Sequence, residues 1–135
     1  MIMKEVLLID DNSIDQVYQK AFTEALGMSC TVASHVDEAV SLLKGIHFDL
    51  VLLDYRLPEI DGLQLLIGFN SIPNVNEIPI VVITGHLDLD LERMFKFFGA
   101  KAVLEKPLSE GLHGELIKYL IEQKEELWKS KNAYS

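Results

Sequence analysis

The chain has 135 residues, 49% of them hydrophobic, the size and composition of one compact domain. Twelve Lys and Arg against 21 Asp and Glu leave a net charge of −9, which repels a phosphate backbone and argues against direct nucleic-acid binding. The longest apolar run is far short of the roughly 20 residues a membrane helix needs, and no basic segment with a signal-type core opens the chain, so a soluble, cytoplasmic protein with no membrane partner is expected.

In chain order, short apolar runs alternate with segments of helical period. A first strand is predicted over residues 5–9. The helix after it carries Ile14, Val17, Tyr18, Ala21, Phe22, Ala25 and Leu26 at helical spacing, with Asn12 or Ser13 as cap and Gly27 as stop. A second strand covers 29–33; its Cys30 is the single cysteine, cannot close an intramolecular disulfide and reads as a small buried hydrophobe. Val36, Ala39, Val40 and Leu43 mark a second helix ended by Gly45. Strands at 50–53, 80–84 and 102–105 then alternate with helices at 62–70 and 87–98. A last helix begins near 108, carries Leu112, Leu116, Ile117, Leu120 and Ile121 on one face, and extends through Trp128.

This alternation predicts an α/β fold, a doubly wound five-stranded parallel sheet with helices on both faces. Right-handed crossovers make the flavodoxin-like strand order 2-1-3-4-5 the economical solution. The Lys- and Glu-rich end reads as a frayed helix or linker stub, giving a domain over residues 1–128 and a tail over 129–135.

Ligands of open α/β sheets gather outside the carboxyl ends of the strands. Asp10, Asp11 and Asn12 follow the first strand, Asp54 the third, Thr84 and Gly85 close the fourth, and Lys106 and Pro107 follow the fifth. Strands 1 and 3 are neighbours in the proposed order, so Asp10, Asp11 and Asp54 converge. A like-charge pair about 4 Å apart costs about 4 kcal/mol at an effective dielectric near 20, which calls for a counter-charge or raised pKa values. Mg²⁺, a hard cation that takes carboxylate, carbonyl and water oxygens and keeps room for phosphate, is the simplest remedy. Lys106 brings a cation to this edge that can pair with a carboxylate or a phosphoryl oxygen, and the Thr84 hydroxyl can donate to the same group. Together these groups suit phosphoryl transfer.

The ordered set Asp10-Asp11, Asp54-x-x-Leu57-Pro58-x-x-Asp61-Gly62, Thr84-Gly85 and Lys106-Pro107 resembles the receiver domains of response regulators in two-component signalling, from about Lys4 to the final helix. The resemblance implies that Asp54 is the phosphoacceptor, served by a histidine kinase or histidine phosphotransfer protein. It implies Mg²⁺ held directly by Asp11, Asp54 and the backbone carbonyl of Arg56, with Asp10 acting mainly through water. Lys106 and Thr84 would each bind a phosphoryl oxygen, and Pro107 sits where the family has a cis peptide.

One position departs from the pattern. Many receivers carry Tyr or Phe three residues before the lysine, where this chain has Val103, a stiff side chain with no ring to relocate. The expected switch therefore runs from Thr84 through the loop after it and the fourth helix. Arg56 and His86, two residues beyond Asp54 and Thr84, flank the path of attacking water in this family and are expected to tune the lifetime of the acyl phosphate. His35, His47 and His113 read as surface or helix residues.

The leading function is a phosphorylation-controlled switch that signals to a protein partner or a covalently attached output domain. A signalling domain of this kind is not an enzyme with a separate substrate, although it would catalyse its own phosphoryl transfer and dephosphorylation. A Mg²⁺-dependent small-molecule phosphatase or phosphotransferase working through an aspartyl phosphate is the alternative, for which the chain leaves little room for a substrate pocket. A flavin-binding carrier would want a phosphate-binding loop after the first strand, where Asp10-Asp11 has the opposite charge.

Overall fold

Val6, Leu7, Leu8 and Ile9, like Leu50, Val51, Leu52 and Leu53, have no exposed surface, because both faces of the strands they form are covered by helices. The computed structural model describes residues 3–57 and 60–133. Its strands are β1 (Glu5–Ile9), β2 (Ser29–Ala33), β3 (Leu50–Asp54), β4 (Ile80–Thr84) and β5 (Ala102–Glu105). All neighbours pair in parallel in the order β2-β1-β3-β4-β5, the predicted doubly wound arrangement.

The connecting helices are α1 (Ser13–Ala25), α2 (Val36–Gly45), α3 (Gly62–Phe69), α4 (Leu89–Phe97) and α5 (Glu115–Asn132). Alternate strand residues divide between two cores. Leu7, Ile9, Val51, Leu53 and Val82 meet Ala39 and Leu43 of α2, Leu65, Leu66 and Phe69 of α3, and Phe95 of α4. Val6, Leu8, Leu50, Leu52, Val81 and Ile83 meet Phe22 of α1 and Ile117, Leu120 and Ile121 of α5. Cys30 is packed against this second core, and burial pushes its thiol up.

Three expectations about helices change. In α1 the predicted apolar stripe is only partly the buried face: Phe22 is buried and Leu26 packs against the core, but Ile14, Val17 and Tyr18 are 66–69% exposed, while the polar Gln19 and Thr23 are buried. Thr23 is accommodated by donating its hydroxyl to the Lys20 carbonyl at 2.8 Å. The last α-helix starts later than predicted, after a π-helical turn over Glu110–Gly114 that leaves Leu112 76% exposed and buries His113. His113 Nδ1 accepts the Ser109 N–H at 3.1 Å, and burial lowers its pKa. Finally, α5 continues past Trp128 to Asn132, and an ion pair between Lys4 and Glu125 joins the middle of the helix to the residue before β1.

Asn12, Asp61 and Asp88 cap α1, α3 and α4, each accepting a backbone N–H three residues on at 2.8–2.9 Å. These caps stand at the carboxyl edge of the sheet, so they also fix where the loops of that edge begin. Pro58, within the motif after β3, lies outside the described residues, as do residues 134 and 135 of the predicted tail.

Candidate functional site

Strand register brings the predicted residues to one edge. β1 and β3 pair with Ile9 opposite Leu53, so the residues that follow, Asp10 and Asp54, emerge side by side. Asp10, Asp11 and Asp54 each offer a carboxylate oxygen, and the three oxygens lie within 4.8 Å of one another. Asp10 is fully buried, Asp54 is 7% exposed and Asp11 is open to solvent.

Asp10 is fastened on several sides. Its Oδ1 accepts the Asn12 N–H at 3.0 Å, and its carbonyl accepts Gln16 Nε2 at 2.6 Å. Asp54 Oδ1 accepts the Arg56 N–H at 3.4 Å, a long contact that leaves the carboxylate poorly solvated by the protein. Burial first, and the charge of Asp10 second, push the Asp54 carboxyl up to about 7, and burial likewise raises Asp10.

Lys106 follows β5, is held by its N–H on the Thr84 carbonyl at 2.8 Å, and is joined to Pro107 by a cis peptide bond. Its Nζ reaches Asp15 Oδ2 at 2.8 Å, Asp54 Oδ1 at 3.4 Å and Asp10 Oδ2 at 3.5 Å. Burial works against its charge, but the hydrogen bond to Asp15 and the carboxylates of Asp54 and Asp10 outweigh it and raise the ammonium pKa.

Thr84 is 3% exposed, and its hydroxyl turns into its own loop, donating to the His86 carbonyl and accepting the His86 N–H, both at 3.2 Å. The next residue, Leu87, donates its N–H to Glu105 Oε2 at 2.8 Å, which ties the β4–α4 loop to β5. His86 and Arg56 are exposed and, with Asp11, Asp54, Thr84, Gly85 and Lys106, line an open cleft of about 720 Å³. Val103, by contrast, is not at the cleft; it is 5% exposed within the core that includes Phe95.

The two glycines of the motif behave differently. A Cβ at Gly85 would meet nothing within 4 Å, so packing does not demand glycine there. A Cβ at Gly62 would come 2.9 Å from the Tyr55 carbonyl oxygen and 3.2 Å from that of Asp54, so the start of α3 sits directly on the backbone of the loop after β3. Tyr55 itself packs edge-on against Phe95 with ring centroids 5.6 Å apart, and the Arg56 guanidinium lies 5.7 Å from the Tyr55 ring centre.

Sequence reasoning did not single out Asp15, Gln16 or Glu105, nor the Tyr55–Phe95 contact. Asp15 had one available signal, an acid three residues after the Asn12 cap candidate and so in the first turn of α1, at the edge where the other acids gather.

The carboxylate set fits Mg²⁺. Ligands at 2.0–2.1 Å in an octahedron stand roughly 3–4 Å apart, compatible with three oxygens inside 4.8 Å, and the exposed Asp11 side leaves room for waters.

A doubly wound parallel sheet that gathers carboxylates, a lysine and a hydroxyl at its carboxyl edge is the architecture of phosphoryl-handling α/β signalling modules. The chain belongs to the response regulator receiver domain family, whose model matches residues 6–118. It is 28% identical over 115 residues to the polar-differentiation response regulator DivK of Brucella ovis, covering 85% of this chain and 94% of that protein. It is 33% identical over 101 residues to the gliding motility regulatory protein of Myxococcus xanthus, covering 75% of this chain but spanning only 13% of that relative's length. Among solved structures, the beryllofluoride-activated NtrC4 receiver domain dimer, determined in solution, is 30% identical with a TM-score of 0.81, over 90% of this chain and 99% of that one. As a receiver, the chain is a phosphoryl-accepting domain of two-component signalling, a class that works with histidine kinases and downstream effectors. No helix among the described residues is long and apolar enough to cross a membrane.

Proposed function

We propose that Asp54 accepts a phosphoryl group from a phosphohistidine on a histidine kinase or histidine phosphotransfer protein, in the cytoplasm, and that the modified domain signals to a protein partner or an attached output domain. The reading rests above all on the Lys106 ammonium standing 3.4 Å from Asp54 Oδ1 at the end of the buried central strand. An oxygen of Asp54 bonds to phosphorus as the P–N bond to the donor imidazole breaks, and the ring nitrogen leaves with the electron pair. Lys106 holds one phosphoryl oxygen. Thr84 holds another after its hydroxyl leaves the His86 carbonyl.

Asp11, Asp54 and the Arg56 carbonyl would hold Mg²⁺, with Asp10 reaching it through water. When bound, the cation offsets the repulsion between the carboxylates and the charge of the phosphoryl oxygens. The nucleophile must be a carboxylate, so a counter-charge that draws the proton off an Asp54 poised near neutrality is part of what the site needs. Arg56 and His86, exposed at the rim of the cleft, govern access of water and hence the lifetime of the acyl phosphate, which the domain hydrolyses itself. Thr84 and its loop form the switch. Val103, walled into the core, contributes packing and no ring movement.

The donor docks over α1. Asn12 and Asp15 in its first turn line the cleft, and Ile14, Val17 and Tyr18 form an exposed apolar stripe running away from it. A donor protein whose histidine reaches Asp54 has that exposed stripe beside the cleft to pack against.

Incubation with acetyl phosphate and Mg²⁺, followed by intact-mass measurement, tests the assignment. The parent gains one phosphoryl mass and Asp54→Asn gains none. Equal gain in both, or no gain in a parent shown to bind Mg²⁺, overturns it.

A further inference from the structure

Lys106 makes its shortest contact with a residue outside the acidic triad. Its Nζ is 2.8 Å from Asp15 Oδ2, against 3.4 Å to Asp54 and 3.5 Å to Asp10. Both partners are anchored at their backbones. Asp15 gives its N–H to the Asn12 cap at 2.9 Å, and Lys106 gives its own to the Thr84 carbonyl at 2.8 Å. The pair is also partly shielded, with the Lys106 side chain 17% and the Asp15 side chain 35% exposed. A hydrogen-bonded pair so placed competes directly with any other claim on the ammonium.

We propose that Asp15 is a positioning residue that holds Lys106 back from the phosphoryl group, a brake on phosphorylation that the transferred group must release. The inference rests on the reading of Asp54 as phosphoacceptor. In the unmodified state the lysine divides itself among three carboxylates, with Asp15 the best placed. A phosphoryl group on Asp54 replaces the single charge of the carboxylate with nearly two and brings three strong acceptor oxygens to a point Lys106 already reaches. The lysine then leaves Asp15, whose carboxylate returns to solvent in the first turn of α1, where the helix dipole still favours a negative charge. Phosphorylation is thereby registered at α1 as well as in the β4–α4 loop, and α1 carries the apolar stripe beside the cleft.

The test compares parent, Asp15→Asn and Asp15→Glu for the rate at which acetyl phosphate with Mg²⁺ adds phosphoryl mass at Asp54. Asp15→Asn is expected to react roughly two- to fivefold faster, the span of a partly exposed ion pair, and Asp15→Glu, which keeps the carboxylate, to remain near the parent. The rates are repeated near 1 M salt, where the screening length is about 3 Å. A contact pair survives this better than a distant field, so the gain in Asp15→Asn is expected to persist. Equal rates in parent and Asp15→Asn, equal gains in Asn and Glu variants, or a gain abolished by salt would each overturn the brake while leaving Asp54 as acceptor. A parent that gains no Asp54-dependent mass overturns the acceptor and the brake together.

Discussion

Asp10 and Asp54 offer carboxylate oxygens within 4.8 Å of each other, one side chain fully buried and the other 7% exposed. Burial and this neighbour raise Asp54 to about 7, so the folded protein holds a proton there that the unfolded chain, with an ordinary aspartate pKa near 4, gives up. The stabilising contribution of that proton is complete below about pH 4 and is lost as pH climbs to about 7. Asp54→Asn, which never charges, should therefore melt above the parent at pH 8 without divalent cation, by on the order of 5 °C, and the gap should narrow at pH 5. Adding Mg²⁺ at pH 8 should raise the parent and leave the variant nearly unmoved; a parent that already melts higher than Asp54→Asn in chelator at pH 8 contradicts the assignment.

The edge-on contact between Tyr55 and Phe95 joins the residue after Asp54 to the buried face of α4. With valine at 103, this is the aromatic contact that connects the loop after β3 with the fourth helix. Tyr55→Leu should cost about 0.5–1.5 kcal/mol in urea unfolding. In NMR spectra, the shifts that beryllofluoride and Mg²⁺ induce across α4 should shrink in the variant while those at Gly85 and His86 remain. Parent-like α4 shifts would show that the coupling runs elsewhere.

At Gly62 the added Cβ meets two carbonyl oxygens of the loop that carries Asp54. Gly62→Ala should destabilise by about 1–3 kcal/mol, whereas Gly45→Ala, where a Cβ meets nothing within 4 Å, should be neutral or slightly stabilising. Denaturant midpoints of the two variants decide it, and equal midpoints would remove the argument for a close approach at 62.

Val17 is 69% exposed in the middle of the α1 stripe, so Val17→Lys should leave the melting temperature unchanged. Transfer from a phosphorylated histidine donor protein should slow by fivefold or more, roughly the effect of losing one interface anchor. Phosphorylation by acetyl phosphate, which touches no helix, should proceed at the parent rate. Equal slowing with both donors would place the defect in the site and not in docking.

The carboxyl-edge residues were legible because the apolar runs stop abruptly on residues with chemistry: Ile9 before Asp10, Leu53 before Asp54, Ile83 before Thr84, and Leu104 before Glu105 and Lys106. Strand order then followed from the alternation of elements. Periodicity located α1 and put Phe22 in the core, but it did not fix the rotation of the helix, since Gln19 and Thr23 are buried while Ile14, Val17 and Tyr18 face water. Helical spacing measures an angle between residues, not which side meets the core. Asp15 was hidden for a related reason: its partner Lys106 is 91 residues away, and only the shared carboxyl edge of the sheet, where α1 starts and β5 ends, brings them to 2.8 Å. The Lys- and Glu-rich sequence around Trp128 has no apolar period to mark the end of α5, and the helix runs on to Asn132.

The bond from the Leu87 N–H to Glu105 closes the loop that starts at Thr84 into a ring, pinned at one end by β4 and at the other by β5. A segment held at both ends has few independent degrees of freedom. Gly85, His86 and Leu87 must exchange between their arrangements together, and Glu105 with them, so relaxation dispersion at these four amides should fit one shared rate and one shared population. Cutting the ring with Glu105→Ala would let the amides relax separately, turning a collective two-state motion into ordinary loop flutter.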